Sequence, residues 1–135
     1  MRKIIYFLIA ITLLGCSSNE DSDDSNTNGS DDNSFNPPTW IQGVWMHDNG
    51  VIGVDFRTND FCNVILNTNS CYKGLIELYA DVPNFDTNVY EEISESRYYF
   101  VFTWGPNEYV HEYEKLSDNT INSISSGQVT LLTKQ

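Results

Sequence analysis

The stretch Arg97-Tyr98-Tyr99-Phe100-Val101-Phe102-Thr103-Trp104-Gly105-Pro106-Asn107-Glu108-Tyr109-Val110-His111-Glu112-Tyr113-Glu114 decides the fold. Gly105-Pro106 suits the two central positions of a type II′ turn, because glycine supplies a positive φ and proline a φ that its ring already fixes. The turn sets a register in which Trp104 faces Asn107, Phe102 faces Tyr109, Phe100 faces His111 and Tyr98 faces Tyr113. Side chains alternate across a strand, so these residues form one largely aromatic face. The opposite face pairs Thr103 with Glu108, Val101 with Val110, Tyr99 with Glu112 and Arg97 with Glu114, and it belongs toward water.

Outward from this hairpin, short runs rich in Val, Ile, Tyr, Phe and Thr recur between turn residues, and no stretch declares a 3.6-residue period. Strands are expected over 44–47, 51–57, 62–66, 72–80, 90–94, 97–104, 108–116, 120–125 and 128–134, with the 4 prolines outside them as ladder hydrogen bonding requires. Asn49-Gly50 predicts a type I′ turn that pairs His47 with Ile52 and Trp45 with Val54, turning these inward and Asp48 and Asp55 outward. The reading is all-β: a single small antiparallel up-and-down barrel of eight or nine strands over 37–135. Closure would remove the sheet edges, and a barrel of this size is either filled by side chains or holds one small ligand.

The rest of the chain is read from charge and cysteine content. Acidic residues number 19 against 7 basic ones, a formal charge of −12, which argues against nucleic acid as a partner. Met1-Arg2-Lys3 followed by the apolar run 4–14 reads as a secretory signal peptide over 1–15, too short to span a bilayer. Residues 17–36 carry Glu20, Asp21, Asp23, Asp24, Asp31 and Asp32, no base, and Phe35 as their one aromatic residue. That composition reads as a disordered linker over 16–36, reaching about 25 Å on average. Within it Asp24-Ser25-Asn26-Thr27-Asn28-Gly29 matches the first half of an EF-hand loop, but the closing position is Phe35 where a glutamate is needed, so no calcium site is expected. Export places Cys62 and Cys71 in an oxidising compartment, where an even pair is expected to form a disulfide worth somewhat under ~3 kcal/mol.

Leu13-Leu14-Gly15-Cys16 resembles the lipobox of bacterial lipoproteins. The resemblance implies cleavage before Cys16 and acylation of its thiol, with the bilayer as the partner of the acyl chains. The Ser and Asp/Glu run that follows resembles the signal that sends lipoproteins of Bacteroidota to the outer face of the outer membrane. Cell-surface exposure is expected, with a periplasm-facing anchor as the alternative. Trp40-Ile41-Gln42-Gly43-Val44-Trp45 resembles the Gly-x-Trp signature that opens the first strand of lipocalins and related calycin barrels, including small lipocalin-like lipoproteins of Bacteroidota. The closing stretches 113–121 and 129–134 are similar to the last strands of those domains. In that family the tryptophan packs at the closed end of the barrel beneath a basic residue of the last strand, a place that falls here to Lys134. The Thr-Asp-Tyr motif of true lipocalins is missing and the domain is shorter, which argues against a deep hydrophobic calyx.

What the resemblance implies is binding of a small apolar or aromatic molecule in the barrel mouth, lined by Tyr98, Phe100, Phe102, Tyr109, His111 and Tyr113, with tyrosine hydroxyls as polar contacts. The same alternation equally describes a filled core. Catalysis finds little support. His47 and His111 have no third nitrogen or thiolate with which to hold a metal, no Gly-x-Ser-x-Gly occurs, and carboxylates such as Glu91, Glu92, Glu108 and Glu112 fall mainly on outer faces or loops. No enzyme activity, cofactor or metal is expected. The alternatives are a surface module that docks a protein or polysaccharide partner through loops such as 81–89, and a protease inhibitor.

Overall fold

A computed structural model of the chain describes residues 34–135. The expected leader 1–15, the expected lipidation site Cys16, the EF-hand-like stretch 24–29 and the expected linker as far as residue 33 lie outside the described residues. Nine strands follow one another: β1 (Gly43–Met46), β2 (Ile52–Arg57), β3 (Asp60–Ile65), β4 (Thr68–Cys71), β5 (Thr87–Ile93), β6 (Arg97–Trp104), β7 (Asn107–Lys115), β8 (Thr120–Ser125) and β9 (Gln128–Lys134). One helix, α1 (Lys73–Tyr79), separates β4 from β5. All strands belong to one antiparallel sheet in the order β4-β3-β2-β1-β9-β8-β7-β6-β5, curled into a half-barrel. The pairing of β1 with β9 brings the two ends of the domain together, Trp45 opposite Lys134.

The β6–β7 hairpin has the register set by its turn, with Phe102 opposite Tyr109, Phe100 opposite His111 and Tyr98 opposite Tyr113. Gly105 holds a φ of +57°, and a Cβ there would come within 3.0 Å of the Phe85 ring, so glycine is required twice over. Arg97 does stand opposite Glu114, but its guanidinium reaches elsewhere: Nε donates to Glu112 at 2.6 Å and Nη1 to Glu92 at 3.0 Å. The diagonal neighbour lies within reach of a long side chain and satisfies the planar fork of donors.

At the first hairpin the expected register is present, Trp45 opposite Val54 with the His47 N–H donating to Ile52, but the turn differs. Gly50 has a φ of +64° and Asn49 does not share the positive φ that a type I′ turn demands. The Gly50 N–H bonds back to the His47 carbonyl, giving a longer turn that ends on a left-handed glycine and leaves the pairing unchanged. Asp55 lies on the outer face as expected, yet it is buried, accepting from Arg57 at 2.9 Å and from Asn69 at 3.0 Å.

Four expectations are corrected. Residues 72–80, read as a strand, form α1, whose one-face spacing of Tyr72, Ile76 and Tyr79 is helical. Its N-terminus has no local side-chain cap; instead the buried Asp60 carboxylate on β3 accepts from the backbone N–H groups of Tyr72 and Lys73. Residues 68–71, left between the expected strands 62–66 and 72–80, supply β4, which places Cys71 opposite Cys62. The domain begins before Pro37, because Phe35 is fully buried against Phe61, Phe100 and Phe102. Nor is the shell closed by strand pairing: β4 and β5 are sheet edges, and the chain between them passes through α1.

Cys62 and Cys71 are joined, their sulfurs 2.06 Å apart, and staple β3 to the edge strand β4. The core is aromatic, with Phe35, Phe56, Phe61, Tyr98, Phe100 and Tyr113 in contact, many edge to face, over Trp45, Ile121 and Leu132.

Candidate functional site

The inner face of the sheet is finished differently at its two ends. At the end where β1 begins, the fully buried Trp45 donates its indole N–H to the Ile41 carbonyl, and Lys134 Nζ stands 5.0 Å from the centre of its ring. Gly43 has a φ of +117° and a Cβ on it would meet the Lys134 stem at 3.0 Å. Trp40, half-buried nearby, donates to the Ser94 carbonyl at 3.0 Å. Trp40, Gly43 and Trp45 therefore make a sealed floor with Lys134 as its cover.

The other end carries the turns between β1 and β2, β3 and β4, β6 and β7, and β8 and β9, and is not filled. A cleft of about 430 Å³ opens there, lined by Asn63, Tyr72, Leu75, Phe102, Trp104, Tyr109 and His111. Each arrives by strand alternation or helix placement: Asn63 from the inner face of β3, Phe102 and Trp104 from β6, Tyr109 and His111 from β7, Leu75 from α1. Tyr72 stacks on Phe61 at 5.6 Å and meets Phe102 edge to face at 5.1 Å, which sets its ring across the end of the aromatic wall. Its hydroxyl accepts from Asn63 Nδ2 at 2.7 Å. Burial, with the neighbouring Tyr109 adding to it, raises the Tyr72 phenol above its ordinary range.

His111 lies flat on Phe100, ring centres 4.7 Å apart, with the Tyr113 hydroxyl 3.5 Å from Nδ1. Burial pushes its imidazole down to about 4, so it is neutral at pH 7. Deeper in the sheet, the Tyr98 hydroxyl donates to Glu91, which also accepts the Asn36 backbone N–H at 2.8 Å. Burial and the Glu91 carboxylate hold the Tyr98 phenol far above its usual range, and burial raises that of Tyr113.

Of the six residues expected to line a mouth, Phe102, Tyr109 and His111 stand in the cleft, whereas Tyr98, Phe100 and Tyr113 are buried in the core beneath it. Trp104 was available to sequence reasoning, since the hairpin register sets it on the same face. Asn63 alternates with Phe61 on β3 and carried the same signal, while Tyr72 and Leu75 were hidden by the strand reading of 72–80. A second, shallower groove of about 450 Å³ shares Tyr109 and His111 and adds Glu108, Glu112 and Ile124. It forms because β7 pairs with β8 only from Glu112 onward and projects beyond it.

Asp60, Cys62 and Cys71 are the one group of metal-ligating residue types drawn together among the described residues. Its sulfurs are consumed in the disulfide and its carboxylate is engaged by backbone N–H groups, so the donor set does not suit a metal. No protein-family model, curated protein or solved structure matches this chain.

Proposed function

We propose that this chain is an exported lipoprotein, anchored through acylated Cys16 at the outer membrane and facing the cell surface, whose domain binds a small apolar or aromatic molecule in its open cleft. The observation that carries the binding role is that the aromatic inner face is left unfilled at one end. The chain packs Phe35 and Trp45 into the core and still leaves Phe102, Trp104 and Tyr109 around about 430 Å³ of space. That volume lies in the range of small-molecule sites, and its rings are joined by a few polar atoms, from Asn63, Tyr72, Tyr109 and His111. The role is non-catalytic, a neutral histidine among rings having no base, nucleophile or metal partner within the cleft.

Native mass spectrometry of the full chain, extracted gently from membranes, tests the reading. A retained small molecule that is lost from a Trp104→Ala/Tyr109→Ala variant is the expected outcome, and a chain that carries none and takes up none from a panel of aromatic compounds refutes it. For the anchor, Cys16→Ala is expected to release the protein from the membrane fraction. Release of neither lipid label nor protein would refute lipidation.

A docking role has its own support. Val51, Ile52, Ile65 and Leu66, the last 71% exposed, gather at two adjoining hairpin tips, Ile52 opposite Ile65. Large aliphatics concentrated in one exposed corner suit contact with a partner protein at the cell surface.

A further inference from the structure

Of the five basic side chains among the described residues, Arg57, Arg97, Lys115 and Lys134 lie at the sealed end of the sheet, and Lys73 is on α1, between the cleft residues Tyr72 and Leu75. Arg57 closes β2, Lys73 follows Cys71 into α1, Arg97 opens β6, Lys115 closes β7 and Lys134 closes β9. Each is also occupied: Arg57 by Asp55, Lys73 by Glu77, Arg97 by Glu92 and Glu112, Lys115 by Asp118, and Lys134 by the Trp45 ring. The cleft is at the opposite end, where the exposed charges are Asp48 in the β1–β2 turn, Asp86 ahead of β5 and Glu108 at the start of β7. The cleft lining holds no cation and no carboxylate. The whole chain has a formal charge of −12. A field of one sign at the mouth of an apolar cleft draws in ligands of the opposite sign.

Resting on the ligand-binding reading above, we propose that the cleft selects an organic cation, an ammonium group carried on an apolar or aromatic body. The ammonium would sit against the rings of Trp104, Tyr109 and Phe102, and the body would meet Leu75. Indole and phenol rings attract a cation through the negative potential of their faces, most strongly where water is excluded, and they need no carboxylate to do so. A neutral imidazole at His111 leaves that attraction unopposed. Anions meet no base in the cleft and a repulsive field outside it. Sugars need a dense set of hydrogen-bonding groups, and here the Asn63 amide is already engaged with the Tyr72 hydroxyl.

The test is a titration of the full-length chain in a non-ionic detergent with three probes that share one ring and differ in charge: benzyltrimethylammonium, benzyl alcohol and benzoate. Binding is followed by calorimetry and tryptophan fluorescence. The cation is expected to bind about 10-fold more tightly than the alcohol, with benzoate weakest. Tyr109→Leu changes a half-exposed ring and spares the core, and it should weaken the cation at least about fivefold while moving the alcohol less than about twofold. Equal or tighter binding of the alcohol or benzoate overturns the proposal but leaves the ring-binding cleft standing, as does a Tyr109→Leu chain with undiminished preference for the cation. Failure of all three probes at millimolar concentration overturns both.

Discussion

The two ends of the sheet are built from the same alternation of residues and finish in opposite states. Where β1 begins, Trp45, Tyr98, Phe56 and Tyr113 are buried, and the chain adds Ile41 below and Lys134 above to complete the packing. Where the hairpins turn, Tyr109 is 47% exposed and Ile52 and Ile65 about as open, though all three face inward. Alternation therefore decides which face is apolar, and the coverings decide whether that face is filled. Phe35 and α1 supply that cover in the middle of the sheet, and the space beyond their reach is the cleft.

The widest predicted gap between the ends concerns a single phenyl ring. Phe100→Ala removes a ring that touches Phe35, Phe61, Tyr98 and His111, and is expected to cost about 3–5 kcal/mol in urea unfolding. Phe100→Leu, expected at about 1–2 kcal/mol, gives a measurable midpoint if the alanine chain does not fold. Tyr109→Ala, two positions along the same face of β7 from His111, should cost under about 1 kcal/mol. Comparable losses at the two sites would mean the cleft is packed in solution and would erase the distinction.

The disulfide tests the edge of the sheet. Replacing Cys62 and Cys71 together with alanine frees β4 and loosens the chain that leads into α1, and should cost about 2–3 kcal/mol. Because Tyr72 enters the cleft directly after Cys71, the same variant should weaken ligand retention, whereas Phe100→Leu should leave it nearly intact. Unchanged urea midpoints with and without reductant would show that the Asp60 cap and the β3–β4 ladder hold this edge unaided.

His111 lies on the boundary between core and cleft, and its protonation reports which it belongs to. Burial lowers its folded pKa to about 4 from an ordinary value near 6.5, so the folded state favours the neutral ring. A depressed histidine contributes its full stability above the unfolded pKa. As pH falls from about 6.5 toward 4 the unfolded chain takes up the proton first, and that stability is lost. Since the ring is partly open to the cleft, about 1–2 kcal/mol is expected between pH 7 and pH 4.5, measured as the difference in urea midpoints between the native chain and His111→Phe. The carboxylates titrate in both chains and cancel. Parallel pH profiles would place His111 in water.

The parts of this architecture that rest on local chemistry were legible in the sequence. Gly105-Pro106 gave the β6–β7 register, and through it the aromatic face that holds Phe100 and Phe102. The cysteines announced their pairing through parity and through the expectation of an oxidising compartment. Long-range contacts were not legible. Asp60 caps α1 from another strand, so 72–80 showed only an apolar run with β-rich ends, and its three-four spacing was outweighed by Tyr, Leu and Ile content. Phe35 follows an acidic, core-poor stretch, and nothing local says that the chain turns back to bury it between Phe61 and Phe100. The division of the aromatic face into floor and cleft depends on those two distant coverings, which is why Tyr98 and Tyr109 read alike as letters and differ as surfaces.

The smallest predicted effect is at the sealed end. Lys134→Met keeps the length and volume of the stem across Gly43 and removes only the charge over Trp45, so it isolates the cation–ring attraction from the packing. A cost of about 0.5–1 kcal/mol is expected, since the ammonium lies partly in water. Lys134→Ala should cost more, because it also strips the stem from the face of the indole. If methionine is neutral while alanine is destabilising, the cover acts through its methylenes alone and the charge belongs to solubility. If both are neutral, Trp45 is sealed from below by Ile41 and the sheet itself, and Gly43 is glycine for its backbone conformation and for no other reason.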